Sequence, residues 1–89
     1  MQPTRIYKKL VDYGAEIVND SYDSTTVFLQ NKSNTIKFKF TINNKGKVKL
    51  ISCDGNTSAI KEEIMNQTGI DILSDNIDIF DFVNALYNA

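Results

Sequence analysis

Between Thr35 and Cys53 the chain alternates with a period of two. Ile36, Phe38, Phe40 and Ile42 are interleaved with Lys37, Lys39 and Thr41, the spacing of a half-buried strand. Asn43-Asn44-Lys45-Gly46 interrupts the run, and Lys47, Val48, Lys49, Leu50 and Ile51 follow. A two-residue loop would set Ile42 against Lys47 and Phe40 against Lys49, mixing apolar and charged side chains on one face. A three-residue loop, Asn44-Lys45-Gly46, pairs Ile42 with Val48 and Phe40 with Leu50. It also puts Gly46 where a type I turn with a bulge needs a left-handed residue. One face is then Ile36, Phe38, Phe40, Ile42, Val48 and Leu50, and the other Lys37, Lys39, Thr41, Lys47, Lys49 and Ile51. A one-residue slip would turn every Phe to water, so the register is tightly held.

Upstream, Pro3-Thr4 opens a helix in which Ile6, Leu10 and Tyr13 form one stripe, with Tyr7 and Val11 beside it. Running on through Ile17 and Val18 would place Gly14 inside the helix at a cost of about 1 kcal/mol. A stop at Gly14 and a short strand over 15–19 are therefore expected. After the turn formers Asp20 to Ser24, the β-branched and aromatic run from Thr25 to Gln30 reads as a strand. A two-residue loop at Lys32-Ser33 would pair Leu29 with Ile36 and Val27 with Phe38, leaving Phe28 on the lysine face. The opposite assignment buries Phe28 and exposes both Val27 and Leu29.

Downstream, Thr57 or Ser58 is expected to cap a helix running to Thr68, with Glu62 and Glu63 in its early turns, where the helix dipole favours anions. Ile60 and Ile64 supply its core contacts, with Met65 alongside, and Gly69-Ile70 reads as its C-terminal cap. Ile70, Ile72 and Leu73 form a connector across the core. Ser74, Asp75 or Asn76 then caps a last helix whose Ile79, Phe82, Val83 and Leu86 lie at i, i+3, i+4, i+7. Its polar side carries Asp78, Asp81 and Asn88. The expectation is one α+β domain over residues 1–89: an N-terminal helix, an antiparallel meander of three or four strands, and two C-terminal helices packed on one sheet face.

Charge changes the picture more than composition does. Residues 1–53 carry nine Lys/Arg against four Asp/Glu, whereas residues 54–89 carry one Lys against seven Asp/Glu. Such asymmetry marks interaction surfaces or, more blandly, solvated faces that keep the protein soluble. No apolar stretch approaches the roughly 20 residues of a membrane span. The opening MQPTRIYKK lacks the apolar region of a signal peptide, and a single cysteine forms no internal disulfide, so a cytoplasmic location is expected. The abundance of Ile, Lys, Asn and Asp suggests an AT-rich bacterial or phage coding sequence.

Reactive chemistry is scarce. The chain has no histidine, which removes the commonest general base and the usual Ser–His and Cys–His pairs. One cysteine builds no cysteine-rich zinc site, and Cys53 beside Asp54 reads as a small, partly buried residue. The four glycines each fall where a cap or turn needs one, so no phosphate-binding loop is present. Asp71, Asp75, Asp78 and Asp81 are the carboxylates to consider, but their spacing lacks the Gly and closing Glu of a calcium loop. Neither catalysis nor a cofactor or metal is expected.

Two surfaces remain. Asp71, Asp75, Asp78, Asp81, Glu62 and Glu63 concentrate negative charge at one end, suited to a basic protein partner that otherwise holds nucleic acid. The order of elements, and the run INNKGKVKLISCDGNTSAIKEEI in particular, resembles the small phage-encoded type II-A anti-CRISPR proteins. That resemblance implies a helix, a sheet and two helices, and an inhibitor whose acidic side chains mimic DNA toward a Cas nuclease. The chain departs from the pattern in a less acidic sheet and a sparser acidic helix. The alternative surface is Lys37, Lys39, Lys47 and Lys49 with Phe28 beside them, a basic patch with a stacking ring for nucleic acid. The helix–strands–helix order also looks like a double-stranded RNA-binding domain, yet Glu62 and Glu63 sit where such a domain needs basic residues. With the acidic overall balance, direct nucleic-acid binding ranks second. The plainest role for the four lysines is protection of the hairpin against pairing with other chains.

Overall fold

A computed structural model describes residues 4–18, 24–74 and 77–89. The elements are helix α1 (Thr4–Asp12), strands β1 (Glu16–Val18), β2 (Ser24–Gln30), β3 (Lys37–Asn43) and β4 (Val48–Cys53), then helices α2 (Thr57–Thr68) and α3 (Ile79–Tyr87). The strands form an antiparallel meander in the order β1-β2-β3-β4. This is the α+β architecture that the alternation and the two downstream helical stripes predict.

The core lies on one sheet face. Val27 and Leu29 of β2, Phe38, Phe40 and Ile42 of β3, and Val48 of β4 are all buried there, with Leu10 of α1, Ile64 of α2 and the α3 stripe Ile79, Phe82, Val83 and Leu86. Phe40 and Phe82 meet edge-on, with ring centroids 4.9 Å apart, the arrangement the aromatic quadrupole favours. α1 is tied to the sheet by a Tyr7–Thr25 hydroxyl hydrogen bond of 2.9 Å. It meets α3 where the Tyr13 and Tyr87 rings approach to 4.7 Å.

The central hairpin has the expected register, with Ile42 opposite Val48 and Phe40 opposite Leu50. Gly46 adopts φ 79°, and the Asn43 carboxamide accepts from the Lys45 and Lys47 amides at 2.9 Å. Beyond Leu50 the ladder shifts, because Lys39 faces Ser52 and Phe38 faces Cys53. Ile51 is the extra residue of a bulge, 47% exposed, and it returns Cys53 to the core side.

The β2–β3 register differs from expectation by two residues. Leu29 faces Phe38 and Val27 faces Phe40, rather than Ile36 and Phe38. A shift of two preserves the faces, so Val27 and Leu29 are buried and Phe28 stays on the lysine side. Asn31 is the physical reason. Its side chain is 1% exposed, and its carbonyl oxygen accepts from the Thr35 amide at 2.9 Å and the Ile36 amide at 3.2 Å. Its amide group donates to the Thr35 hydroxyl at 3.1 Å and the Ala89 carbonyl at 3.0 Å. These bonds hold 31–36 as a wider loop and fasten it to the end of α3, where the Lys32 amide donates to the Tyr87 carbonyl at 2.8 Å.

Helix ends bring further corrections. Asn56, not Thr57 or Ser58, caps α2, accepting from the Ala59 amide at 3.1 Å. Gly69 ends α2 at φ 77°, donating to the Met65 carbonyl. Asp78, not a residue of 74–76, caps α3. Asp75 and Asn76 lie outside the described residues, as do Pro3, Asn19 of the expected strand and Asp20 to Asp23 of the expected turn, whose last residue, Ser24, opens β2. Val11 and Leu73, expected beside the core, are 61% and 49% exposed.

Candidate functional site

The sheet has a second face, built from the alternate residues of each strand. Register places Glu16, Phe28, Lys39 and Ser52 in one cross-strand row, and Val18, Thr26, Thr41 and Lys49 in the next. Lys37 stands opposite Gln30. Lys47 lies across from Asn43, whose amide donates to the Lys47 carbonyl at 3.0 Å. The buried apolar residues of α1, α2 and α3 (Leu10, Ile64, and Ile79, Phe82, Val83 and Leu86) join the core on the other side; on this face Lys37, Lys47 and Lys49 are exposed, Lys39 and Phe28 half-buried, and Thr26 buried.

Phe28 is the centre of this surface. The Lys37 and Lys39 ammonium groups lie 5.5 and 5.8 Å from its ring centroid, within the reach of cation–π attraction, which is worth about 0.5–1 kcal/mol at exposed sites. The alternation of β3 puts both lysines on one side, and the β2 pairing brings them to one ring. Among the described residues no carboxylate pairs with Lys37, Lys39 or Lys49. Glu16 is the acidic member of the face, and Asp54 stands at its rim, where its amide donates to the Lys37 carbonyl at 3.1 Å.

The acidic residues form a looser set. The Asp78 carboxylate accepts from the Phe80 and Asp81 amides at 3.0 and 3.4 Å. Asp71 accepts from the Leu73 amide at 3.0 Å and lies 3.9 Å from the Lys61 ammonium. Glu63 accepts from the Gln67 amide group at 3.4 Å. Glu62 and Asp81 are exposed, and Asp75 lies outside the described residues. Asp78 and Asp81 thus share the first turn of α3, while Glu62 and Asp71 share the α2 side; no hydrogen bond or ion pair among the described residues joins the two groups.

Sequence reading missed a groove on that side. Ser58, Lys61, Glu62 and Met65 form one stripe of α2 and, with Leu73, line an open concavity of about 400 Å³. The spacing i, i+3, i+4, i+7 was its available signal, hidden because only one of the four is apolar. Cys53 is half-buried, its sulfur 3.4 Å from the Thr57 hydroxyl. Among the described residues, no cluster of His, Cys, Asp and Glu could hold a metal ion, and no helix is long and apolar enough to cross a membrane.

Compared with known protein families, curated proteins and solved structures, the chain matches none. Its geometry is therefore the ground for a functional reading.

Proposed function

We propose that the protein is a small non-catalytic binding module whose working surface is the open sheet face, and that its ligand is single-stranded nucleic acid. The observation that carries this reading is the convergence of the Lys37 and Lys39 ammonium groups on the Phe28 ring, at 5.5 and 5.8 Å from its centroid. In the free protein those ammonium groups shield the ring. A phosphate backbone draws them outward as counter-ions, and the uncovered ring then accepts a stacked base. Lys47 and Lys49 extend the positive track along β4. The ligand is single-stranded because stacking on a flat sheet needs a splayed base, which a duplex withholds.

The test is substitution with the fold monitored by circular dichroism. Lys37→Glu with Lys39→Glu is expected to weaken binding of a labelled single-stranded oligonucleotide by about a hundredfold. Phe28→Ala is expected to weaken it by about tenfold, the worth of one modest stacking contact. Unchanged affinity in both variants would overturn the reading.

A second reading is favoured by the acidic half, where among the described residues Lys61–Asp71 is the one ion pair and Glu62 and Asp81 face solvent. In it the protein is an inhibitor that covers a basic nucleic-acid-binding partner, a Cas nuclease in the form the anti-CRISPR resemblance suggests, in the cytoplasm of a phage-infected host. Because Asp78 caps α3, its reversal would confound fold with binding. Glu62→Lys with Asp81→Lys is the cleaner change, expected to abolish partner binding under this reading and to leave oligonucleotide binding intact under the first.

A further inference from the structure

We infer that the groove between α2 and the 71–73 turn is a second binding site, and that it takes an amphipathic basic segment of a partner protein. This narrows the inhibitor reading from an acidic surface to one groove, and it is independent of the sheet face.

Three observations converge. First, two apolar side chains meet at the groove although the core has no use for them: Met65 is 38% and Leu73 49% exposed, and both line the concavity. Every other apolar residue from Ile60 to Ile72 is buried or packed against the core. Second, the walls are held. Asp71 fixes the turn by accepting from the Leu73 amide, and the Ser74 amide donates to the Asp71 carbonyl at 3.0 Å. Lys61 of α2 reaches across to the same Asp71 at 3.9 Å. The concavity between them, about 400 Å³, is open to solvent. Third, the surroundings select charge. Lys61 is the one cation of residues 54–89, and Asp71 at 3.9 Å balances its charge, so Glu62 in the wall is the charge of the groove left without a counter-charge.

An apolar anchor therefore enters between Met65 and Leu73 while a flanking Lys or Arg meets Glu62. A helix with apolar residues at i, i+3 and i+4 and basic residues between them presents that pattern. Methionine suits such a contact because its unbranched side chain adapts to the anchor it meets.

The experiment titrates the isotope-labelled full chain with three synthetic peptides and follows the Met65 and Leu73 methyl resonances. One is an amphipathic helix of Leu and Lys, the second its Leu and Glu counterpart, and the third a Gly and Lys peptide of equal charge. The expected result is saturable movement of both methyls with the Leu/Lys peptide alone. Met65→Gln and Leu73→Asn should each weaken it by about tenfold, while Met65→Leu restores it. Both polar replacements sit at exposed positions, and amide spectra confirm the fold. Equal binding of the Gly/Lys peptide, unaffected by Met65→Gln, would overturn the groove while leaving the acidic surface standing. Absence of binding by either basic peptide would overturn both. Equal binding of the Leu/Glu peptide would overturn the charge selection, and methyl shifts that grow with protein concentration alone would assign the groove to a second copy of the chain.

Discussion

Asn31 illustrates how much a single polar residue can decide. It is among the most buried side chains of the molecule, and a buried amide is tolerated only when its bonding capacity is used. Here it holds two backbone amides and the Ala89 carbonyl. Asn31→Ala would leave those groups without partners and should destabilise the protein by about 2–3 kcal/mol, read from urea unfolding at equilibrium. A loss below about 0.5 kcal/mol, the scale of ordinary surface changes, would contradict the role assigned to it. Asp78→Ala should lose about 1 kcal/mol by the same measurement, the usual worth of an N-cap. Asn31 was not visible as structural from sequence, and Asp78 was legible as a residue favoured at a helix N-terminus but not as the cap itself. Asn31 sits in a run of turn formers that reads as solvent-exposed, and the Ser74-to-Asp78 stretch offers several side chains with the same capping chemistry.

At the scale of elements, legibility follows how many arrangements a pattern permits. The β3–β4 hairpin admits one register that keeps Phe40 and Ile42 opposite apolar partners and Gly46 in the turn, and that register is found. For β2–β3 a shift by two leaves every face unchanged, so hydrophobicity alone does not distinguish the two pairings and the Asn31 bonds decide. The bulge at Ile51 escaped because it falls where the alternation ends. α3 was legible because its stripe is wholly buried. α2 was less so, since Ile64 is its one fully buried residue and Met65 faces outward. The Phe40–Phe82 contact joins the two most legible elements, so Phe82→Ala should cost about 3–5 kcal/mol. That is a large share of the roughly 5–15 kcal/mol available to a domain. Thermal unfolding checks it, and a midpoint unchanged from the parent would contradict the packing described.

Across the whole molecule, the fold turns a charge imbalance in sequence into opposed surfaces. β3 and β4 place Lys37, Lys39, Lys47 and Lys49 on the sheet face away from the helices, while the acidic residues belong to α2, α3 and the turns before them. The candidate lysine face was legible because alternation assigns the lysines, and Phe28 joins them in the assignment that buries both Val27 and Leu29. The two candidate surfaces differ in how the fold arranges their residues. The acidic residues are divided between two places, with Asp71 and Asp78 occupied by backbone amides, whereas Phe28, Lys37 and Lys39 converge on one point. The direct measurement is fluorescence anisotropy of a labelled single-stranded oligonucleotide titrated with the full chain across a series of salt concentrations. If each of the four lysines neutralises one phosphate, the logarithm of the association constant should fall against the logarithm of salt with a slope of about −2.8. A duplex of the same sequence should bind more weakly. No binding at low salt, or affinity indifferent to salt, would contradict the claim that this face binds nucleic acid.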